Sequence, residues 1–344
     1  MPTRETISKS ILEAFLRKKL PDSGKYLERV DAASAALDAE GGQKRPLDSL
    51  GRPGGLIYLD MGLPTILLPD LHARTDFLVS VLLQPLPDGL TVLDALSRGT
   101  LQILCLGDGF HAEARALDRW KRAYAEFAGG YRKHSAMDQE MRESLALMEM
   151  VLLCKAAFPV NFHFLKGNHE NVLNEEGNGN HPFRKFAAEG MMVTEYLSKF
   201  YGRDFLERYA GFENRLPLFA VGTRFLASHA EPQKPYSERA LIDARQDPEV
   251  ILGLTWTDNG AADPGSVSEL LDRFHPKYPA ARFFTGHRII RGMYKERSGG
   301  RHLQIHNPDK FITAWIMPSR DFDPDLDIGE IRDISFPLRK SVKG

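Results

Sequence analysis

Five short apolar runs of strand type are separated along this chain by segments with helical periodicity. Such alternation predicts an α/β layered fold in which helices cover buried strands. Each run ends at a Gly, Pro or Ser that is followed by Asp, Asn or His. Because open α/β sheets form their sites at the carboxyl ends of strands, we expect these polar residues to meet. The runs are 65–68, 101–106, 160–165, 218–227 and 282–284.

The remaining pattern divides the chain into two predicted regions. Residues 1–53 carry helical periodicity and then a Gly/Pro-rich stretch, which predicts a helical appendage followed by a linker. Residues 54–344 are expected to form one catalytic domain with a helical insertion around residues 182–209.

Composition excludes several classes of partner. The formal net charge of the 344-residue chain is -1, which gives no overall attraction to nucleic acid or to an anionic membrane. No apolar window approaches the length of a membrane span, and the N-terminus lacks the apolar core of a secretory signal. Cys105 and Cys154, the only cysteines, lie in apolar runs and are predicted to be buried thiols. We therefore expect a cytoplasmic protein, and the sequence leaves its oligomeric state open.

Six residues form the predicted metal set. Two neighbouring cations need a carboxylate that bridges them, with neutral imidazoles and oxygen ligands on the outside. Asp108 is the expected bridge, because its strand lies between the others in chain order and Gly107 allows close approach of the backbone. We expect two transition-metal ions: manganese, iron or zinc. The predicted ligands are Asp70, His72, Asp108, Asn168, His229 and His287.

The specificity of this pattern lies in the ordered set. An Asp-x-His pair such as Asp70 and His72 is common by chance, and so is a Gly-Asp turn. The run 167–170, Gly-Asn-His-Glu, is expected in only about one of a thousand chains of this length. The pieces follow each other from Asp70 to His287 at spacings of 38, 60, 61 and 58 residues, each after an apolar run.

At these residues the chain resembles the calcineurin-like metallophosphoesterase superfamily, and most closely its phosphoprotein phosphatase branch. Three further segments carry the closer resemblance: Leu-Pro-Leu at 216–218, Trp-Thr-Asp at 256–258, and a last block at 286–289 with a single histidine. The resemblance covers roughly residues 60–315. It implies a two-sheet β-sandwich flanked by helices (a four-layer αββα fold) and hydrolysis of a phosphoester by water that two metal ions activate.

The chain departs from that branch at two places. The branch reads Gly-Asp-x-x-Asp-Arg-Gly, where the later Asp orients the catalytic histidine and the Arg binds phosphate. Here the run is Gly-Asp-Gly-Phe-His-Ala-Glu, so His111 and Ala112 replace that pair. The glycine pair that follows the lone histidine is Ala230-Glu231 here. These changes leave the predicted ligands in place and put the substrate preference in question.

The catalytic candidates follow from what hydrolysis needs. His169 is the predicted general acid, with Glu170 or Glu113 as the group that would hold its charged form; His111, at the orienting position, could not do so when charged. A guanidinium should bind phosphate, and Arg74 is the leading candidate ahead of Arg115 and Arg288. His306 could fill an open position on the first metal, although a core histidine is the more ordinary interpretation.

Three functions remain open at this point. The substrate is expected to be phosphorylated, and the chain would act either on phosphoprotein, as a serine/threonine phosphatase, or on a nucleotide or dinucleoside polyphosphate. A protein substrate needs an open, shallow site, whereas a nucleotide needs a pocket above the metals. The third possibility is a metal-bound scaffold without turnover, which the retention of His169 and all six ligands argues against.

Overall fold

The computed structural model describes residues 3–332, so the last residues of the predicted 54–344 domain lie outside the described part. No helix within that part is long and apolar enough to cross a membrane. The α-helices are α1 Arg4–Leu16, α2 Ser23–Asp38, α3 Thr75–Leu82, α4 Val92–Arg98, α5 Leu117–Ala128, α6 Ser135–Ala157, α7 Glu189–Phe200, α8 Arg203–Glu213, α9 Glu238–Ile242, α10 Pro248–Thr255, α11 Ser266–Phe274 and α12 Pro324–Asp327. The strands are β1 Leu56–Tyr58, β2 Thr65–Leu68, β3 Gln102–Cys105, β4 Phe162–Phe164, β5 Phe219–Gly222, β6 Phe225–Ser228, β7 Arg282–Thr285, β8 Lys295–Arg297, β9 His302–Gln304, β10 Ile312–Ile316 and β11 Ile328–Glu330.

The strands form two sheets, with orders β1-β5-β6-β7-β9-β8 and β11-β10-β2-β3-β4. Successive side chains of a strand point to opposite faces, and both faces of β2, β3 and β4 are buried. In β2, Leu67 faces the other sheet, while Ile66 and Leu68 face the helices. Because every such strand must be apolar on both faces, it appears in the sequence as a continuous apolar run rather than an alternating one.

Three apolar cores separate four layers. The central core lies between the sheets and contains Leu104 from one and Phe284 from the other. An outer core joins the β2-β3-β4 sheet to α1–α8, and a smaller one joins the β5-β6-β7 sheet to α9–α11. This four-layer αββα arrangement confirms the predicted fold class.

The N-terminal helices share the main core. Ile11 and Phe15 of α1 and Tyr26 of α2 are buried in the same cluster as the residues of α6. The following segment is fixed by Arg45, a fully buried side chain that donates to the carbonyl of Gly54 at 2.8 Å. The predicted boundary at residue 53 therefore coincides with no break in packing, and the first two helices form part of the helical layer.

The predicted helical insertion around 182–209 consists of two helices preceded by a loop. Met192 of α7 and Phe205 of α8 pack into the main core. Residues 181–188 are not helical, and Phe183 and Phe186 of this loop lie against His111. The helical prediction is thus wrong for 182–188, a loop that covers His111.

Candidate metal centre

The predicted ligands leave their strands at one rim of the sandwich. The strands β2, β3 and β4 are parallel neighbours, and so are β6, β7 and β9. Because parallel strands end on the same edge, the residues that follow each of them converge there. The residues brought together are Asp70, His72, Asp108, Asn168, His229, His287 and His306.

One side of the cluster is built from two imidazoles and two carboxylates. The Nε2 atom of His72 lies 3.9 Å from Oδ2 of Asp70 and 3.5 Å from Oδ2 of Asp108. His306 approaches the same Asp70 oxygen with its Nε2 at 3.9 Å. Two atoms bound to one ion at ~2.1 Å lie roughly 3.0–3.5 Å apart, so slight inward movement would place all of them on one cation.

The other side contains an amide and two further imidazoles. Nε2 of His229 lies 2.8 Å from Oδ1 of Asn168 and 3.5 Å from Oδ2 of Asp108. Nδ1 of His287 lies 3.0 Å from the same amide oxygen. Oδ2 of Asp108 is thus equally distant from His72 and His229, as a bridging carboxylate must be.

Backbone contacts fix the ring orientations. Nδ1 of His229 donates to the carbonyl of Leu106 at 2.8 Å, which leaves Nε2 free to bind an ion. In the same way, Nδ1 of His72 lies 3.1 Å from the carbonyl of Phe110. Both imidazoles are therefore held with the same nitrogen directed into the cluster.

Two glycines allow the loops to approach the carboxylates. A Cβ atom at Gly167 would lie 2.2 Å from Oδ1 of Asp108, and one at Gly286 would lie 1.7 Å from Oδ1 of Asp70. Any side chain would displace the carboxylates. The glycines before Asn168 and His287 are consequently part of the site's construction.

Glu170 joins two of the ligand loops. Its carboxylate accepts the backbone N–H groups of Gly167 at 2.6 Å, Asp108 at 2.9 Å and Gly109 at 2.8 Å. Since both carboxylate oxygens are occupied in this way, Glu170 is not available as the partner of His169. That alternative from the sequence is wrong, and Glu170 instead sets the distance between the β3 and β4 loops.

The electrostatics of the cluster fit bound cations. Burial raises the pKa of Asp70, and burial together with Asp70 raises that of Asp108 well above its usual range. Burial also lowers the pKa of His72 and of His229 well below the usual value, so both are neutral and able to ligate. The ion pairs of the described residues place no lysine or arginine on either aspartate. Buried carboxylates without a counter-charge are costly, and divalent cations would supply it.

His169 lies beside the bridging carboxylate. Its Nε2 is 3.8 Å from Oδ2 of Asp108, and its backbone N–H donates to the other oxygen of that carboxylate. The ring packs on Phe183 with 4.6 Å between centroids. Its Nδ1 is buried without a hydrogen-bond partner, so neither Glu113 nor Glu170 orients the ring.

His111 is held by other groups. Its Nε2 lies 3.4 Å from a carboxylate oxygen of Glu189, and its Nδ1 accepts the backbone N–H of Glu113. The ring stacks on Trp120 at 4.9 Å. Burial raises the pKa of Glu189, but the bond from His111 and two backbone N–H donors outweigh burial and lower it to about 2. With both nitrogens occupied by other groups, His111 lies 5.1 Å from the His169 ring, measured between centroids, without a hydrogen bond to it.

Arg74 is not placed to bind phosphate. The side chain is 3% exposed and packs over Phe77, and its guanidinium N–H groups donate to main-chain carbonyl oxygens. The prediction for Arg74 is therefore wrong: a guanidinium saturated by carbonyls secures the loop after β2. Its acceptors are the carbonyls of Asp70 (2.6 Å), Leu71 (3.3 Å), Asn307 (3.2 Å), Pro308 (3.4 Å) and Lys310 (3.0 Å).

The two runner-up arginines are also engaged. Arg115 donates to the carbonyls of His72 and Ala112, each at 2.9 Å, and Arg288 is paired with Asp258. The cation that does lie at the mouth of the cluster is Lys185, half-exposed on the 181–188 loop. Sequence reasoning missed it because the loop was assigned to a helix.

No family model matches the chain, and no curated protein matches it. Among solved structures, it is similar to a protein serine/threonine phosphatase from Saccharomyces cerevisiae that itself has similarity to human phosphatase PP5, with a TM-score of 0.62 and 14% identity over 97% of each chain. The chain has the fold of this phosphatase. A cold-active protein-tyrosine phosphatase of a psychrophilic Shewanella species aligns at 14% identity and a TM-score of 0.42 over 81% of this chain and 82% of that chain.

The shared fold agrees with the two-sheet architecture expected from the sequence. At this identity the likeness extends to the fold alone, so the roles of individual residues rest on the geometry of the cluster itself. His306 is one such residue: the sequence favours a core histidine, and the structure brings its Nε2 to Asp70. His306 reaches the cluster because β9 pairs with β7, and no local sequence pattern predicts this pairing.

Proposed function

We propose that the chain is a dinuclear metal-dependent phosphoesterase that hydrolyses phosphomonoesters, with a phosphoserine or phosphothreonine protein as the leading substrate class. The observation that supports this best is the bridging position of Asp108, 3.5 Å from an imidazole on each side. Manganese, iron or zinc fits ligands that mix imidazole, carboxylate and amide oxygen. Two such ions supply charge neutralisation on the phosphoryl oxygens and lower the pKa of a bound water.

The chain's own groups would complete the reaction. His169 is the proton donor to the leaving oxygen, because it is the one imidazole of the cluster that lies beside Asp108 without belonging to the ligand set. Lys185 is the proposed phosphate-binding cation, since its Nζ reaches the mouth of the cluster. A lysine binds phosphate as a point charge and does not impose the two parallel bonds of an arginine.

The experiment combines metal analysis with a phosphatase assay. Asp108→Asn should lose metal as well as activity, because it removes the charged bridge between two cations, and we expect kcat/KM to fall by roughly 10²–10⁴-fold. Asp118→Asn, on the exposed surface of α5, is the matched control and should keep both. Wild-type protein that retains no metal after manganese reconstitution would refute the proposal. Two bound ions without turnover on any phosphoester would support the alternative of a metal-bound scaffold without catalytic activity.

One observation favours a second candidate, a hydrolase of phosphoanhydrides such as a nucleotide or dinucleoside polyphosphate. The Nδ1 of His169 has no partner to hold the protonated ring, which makes His169 a poor acid for an alkoxide leaving group. A phosphate leaving group hardly needs a proton. Under this candidate the same metal cluster acts on a substrate whose leaving group is already a stable anion.

His169→Gln separates the two candidates. On a phosphoserine peptide the general-acid role predicts a loss in kcat of roughly 10²–10⁴-fold, and a much smaller loss on p-nitrophenyl phosphate. The phosphoanhydride hydrolase would be favoured by two results together. The variant would be nearly as active as wild type on adenosine triphosphate, and the kcat/KM of wild type would be higher on adenosine triphosphate than on either phosphomonoester. Equal losses on all leaving groups would remove His169 from the acid role.

A further inference from the structure

Glu113 is a buried carboxylate in the metal cluster that the predicted ligand set does not include. Its side chain is 3% exposed, and Oε1 lies 3.5 Å from Nε2 of His72 and 3.3 Å from Nε2 of His306. These are the same two nitrogens that face Asp70. Glu113 thus approaches the first side of the cluster as closely as the residues already assigned to it.

The backbone of Glu113 is held in a conformation that suits glycine. Its φ of 47° and ψ of -153° lie in a region that residues with a side chain rarely adopt. The resembled phosphatase pattern has glycine at this place in the Gly-Asp-x-x-Asp-Arg-Gly run. A glutamate here costs conformational free energy that glycine would avoid. Such strain persists where the side chain has a function.

The carboxylate also lacks a sufficient partner. Oε2 of Glu113 is buried and has no hydrogen-bond partner, while Oε1 meets Lys185 at 3.3 Å. A half-exposed lysine contributes little to such a pair. The strained backbone and the unpaired oxygen therefore need another explanation than the ion pair, and Oε1 of the same carboxylate faces two imidazoles of the cluster.

We propose that Glu113, together with His306, binds the first metal ion, so that this position has five protein ligands. The inference rests on the proposed function and deepens it. A third carboxylate adds negative charge and a hard oxygen donor, which favours manganese or iron over zinc at this position. The ligands are Asp70, His72, Asp108, Glu113 and His306.

Two consequences follow from five protein ligands. A six-coordinate ion would retain a single free position, so substrate oxygens would bind chiefly on the side of His229 and His287. The first ion would also bind more tightly than the second, whose ligands contribute only the shared Asp108 as a charged group. Once Glu113 binds the ion, Lys185 is released from it to meet the substrate.

The test is a manganese titration of metal-free protein followed by electron paramagnetic resonance and calorimetry. Wild type should bind two ions, one of them more tightly, and Glu113→Gln should weaken the tighter site at least ~10-fold, as even outer-shell changes do. Glu207→Gln is the control, because that exposed carboxylate on α8 pairs with Arg203 and with no group of the cluster. Its affinities should match wild type.

The Glu113→Gly variant provides a second test, in which thermal stability and metal affinity should change in opposite directions. A glutamate with only a structural role would not give this combination. Glycine relieves the backbone strain, so the Tm of the metal-free variant should rise by about 1–4 °C while the tighter site is weakened as in Glu113→Gln. In a crystal structure of manganese-loaded wild type, an oxygen of Glu113 should lie within about 2.3 Å of the first ion.

These experiments distinguish a failure of the proposed Glu113 role from a failure of the proposed phosphoesterase function. Wild type that binds no manganese refutes the dinuclear phosphoesterase itself. Two ions bound with unchanged affinities in both Glu113 variants refute only the role of Glu113. A loaded structure with the carboxylate more than about 3.5 Å from either ion does the same, even if Glu113→Gln weakens binding through its lost charge.

Discussion

Replacing Glu170 by glutamine tests whether the distance between the two ligand loops depends on one carboxylate. Oε2 accepts the N–H groups of Gly167 and Asp108, and Oε1 accepts that of Gly109. A glutamine can accept with only one of its terminal atoms, and its amide N–H₂ would then face an N–H group. At least one backbone donor is left unpaired, at about 1–3 kcal/mol, and the remaining two bonds lose their charge assistance.

Together these losses amount to about 2–5 kcal/mol in the free energy of unfolding, or a fall in Tm of roughly 3–7 °C for a chain of this length. The measurement is thermal unfolding of metal-free protein at pH 7, followed by manganese titration, in which affinity should drop because the loop carrying Asp108 loses its support. Glu207→Gln is the control, since this carboxylate on α8 is exposed and pairs with Arg203. A Tm of Glu170→Gln within 1 °C of the control would refute the reasoning.

Three further predictions concern single side chains. Lys185→Ala should lower kcat/KM about 10–100-fold through loss of one charge-assisted contact with phosphate, whereas its exposed neighbour in Arg184→Ala should have no effect; equal kinetics in both would exclude Lys185. Arg74→Ala should lower the free energy of unfolding by about 3–5 kcal/mol, because several buried carbonyls lose their donor. An unchanged Tm together with lost activity would instead indicate that Arg74 binds the substrate phosphate. Burial raises the pKa of Glu213 to about 8 against 4.5 when unfolded, so its contribution to stability is full below pH 4.5 and is lost as pH rises to 8. Glu213→Gln should therefore gain stability relative to wild type across that range, as thermal melts at several pH values would show.

The fold was predictable because the local pattern and the tertiary structure agree in the strands. Each of β2, β3 and β4 is buried on both faces; β2 and β3 appear in the sequence as largely apolar runs, whereas β4 has His163 between two phenylalanines. The apolar run at 218–227 forms two strands, β5 and β6, which pair antiparallel. The carboxyl ends of these strands then meet because parallel strands share an edge, which needs no knowledge of the helices.

The failures have a different cause. Residues 182–188 have an apolar periodicity that satisfies a helix, yet Phe183 and Phe186 use it to pack on the imidazoles of the site. Arg74 lies two residues after His72 and could have pointed either way; the carbonyls around Asn307, 233 residues later, decide that it points inward. A contact between residues so distant in sequence is invisible to any local pattern.

The metal role of Glu113 was also not predictable from the sequence. Glu113 occupies a position where the resembled pattern has glycine, and a glycine there indicates a turn rather than a ligand. The structure shows positive φ values at His72, Asp108, His111 and His287 as well, so three of the six ligand-bearing loops are strained. Strain in these loops would be costly for a chain whose cluster also buries unpaired carboxylates. Bound cations would offset both costs at once, because they stabilise only the folded arrangement that presents all the ligands. Under the proposed role of Glu113, the departures at residues 111–113 would be a change in the metal environment rather than the decay of a site.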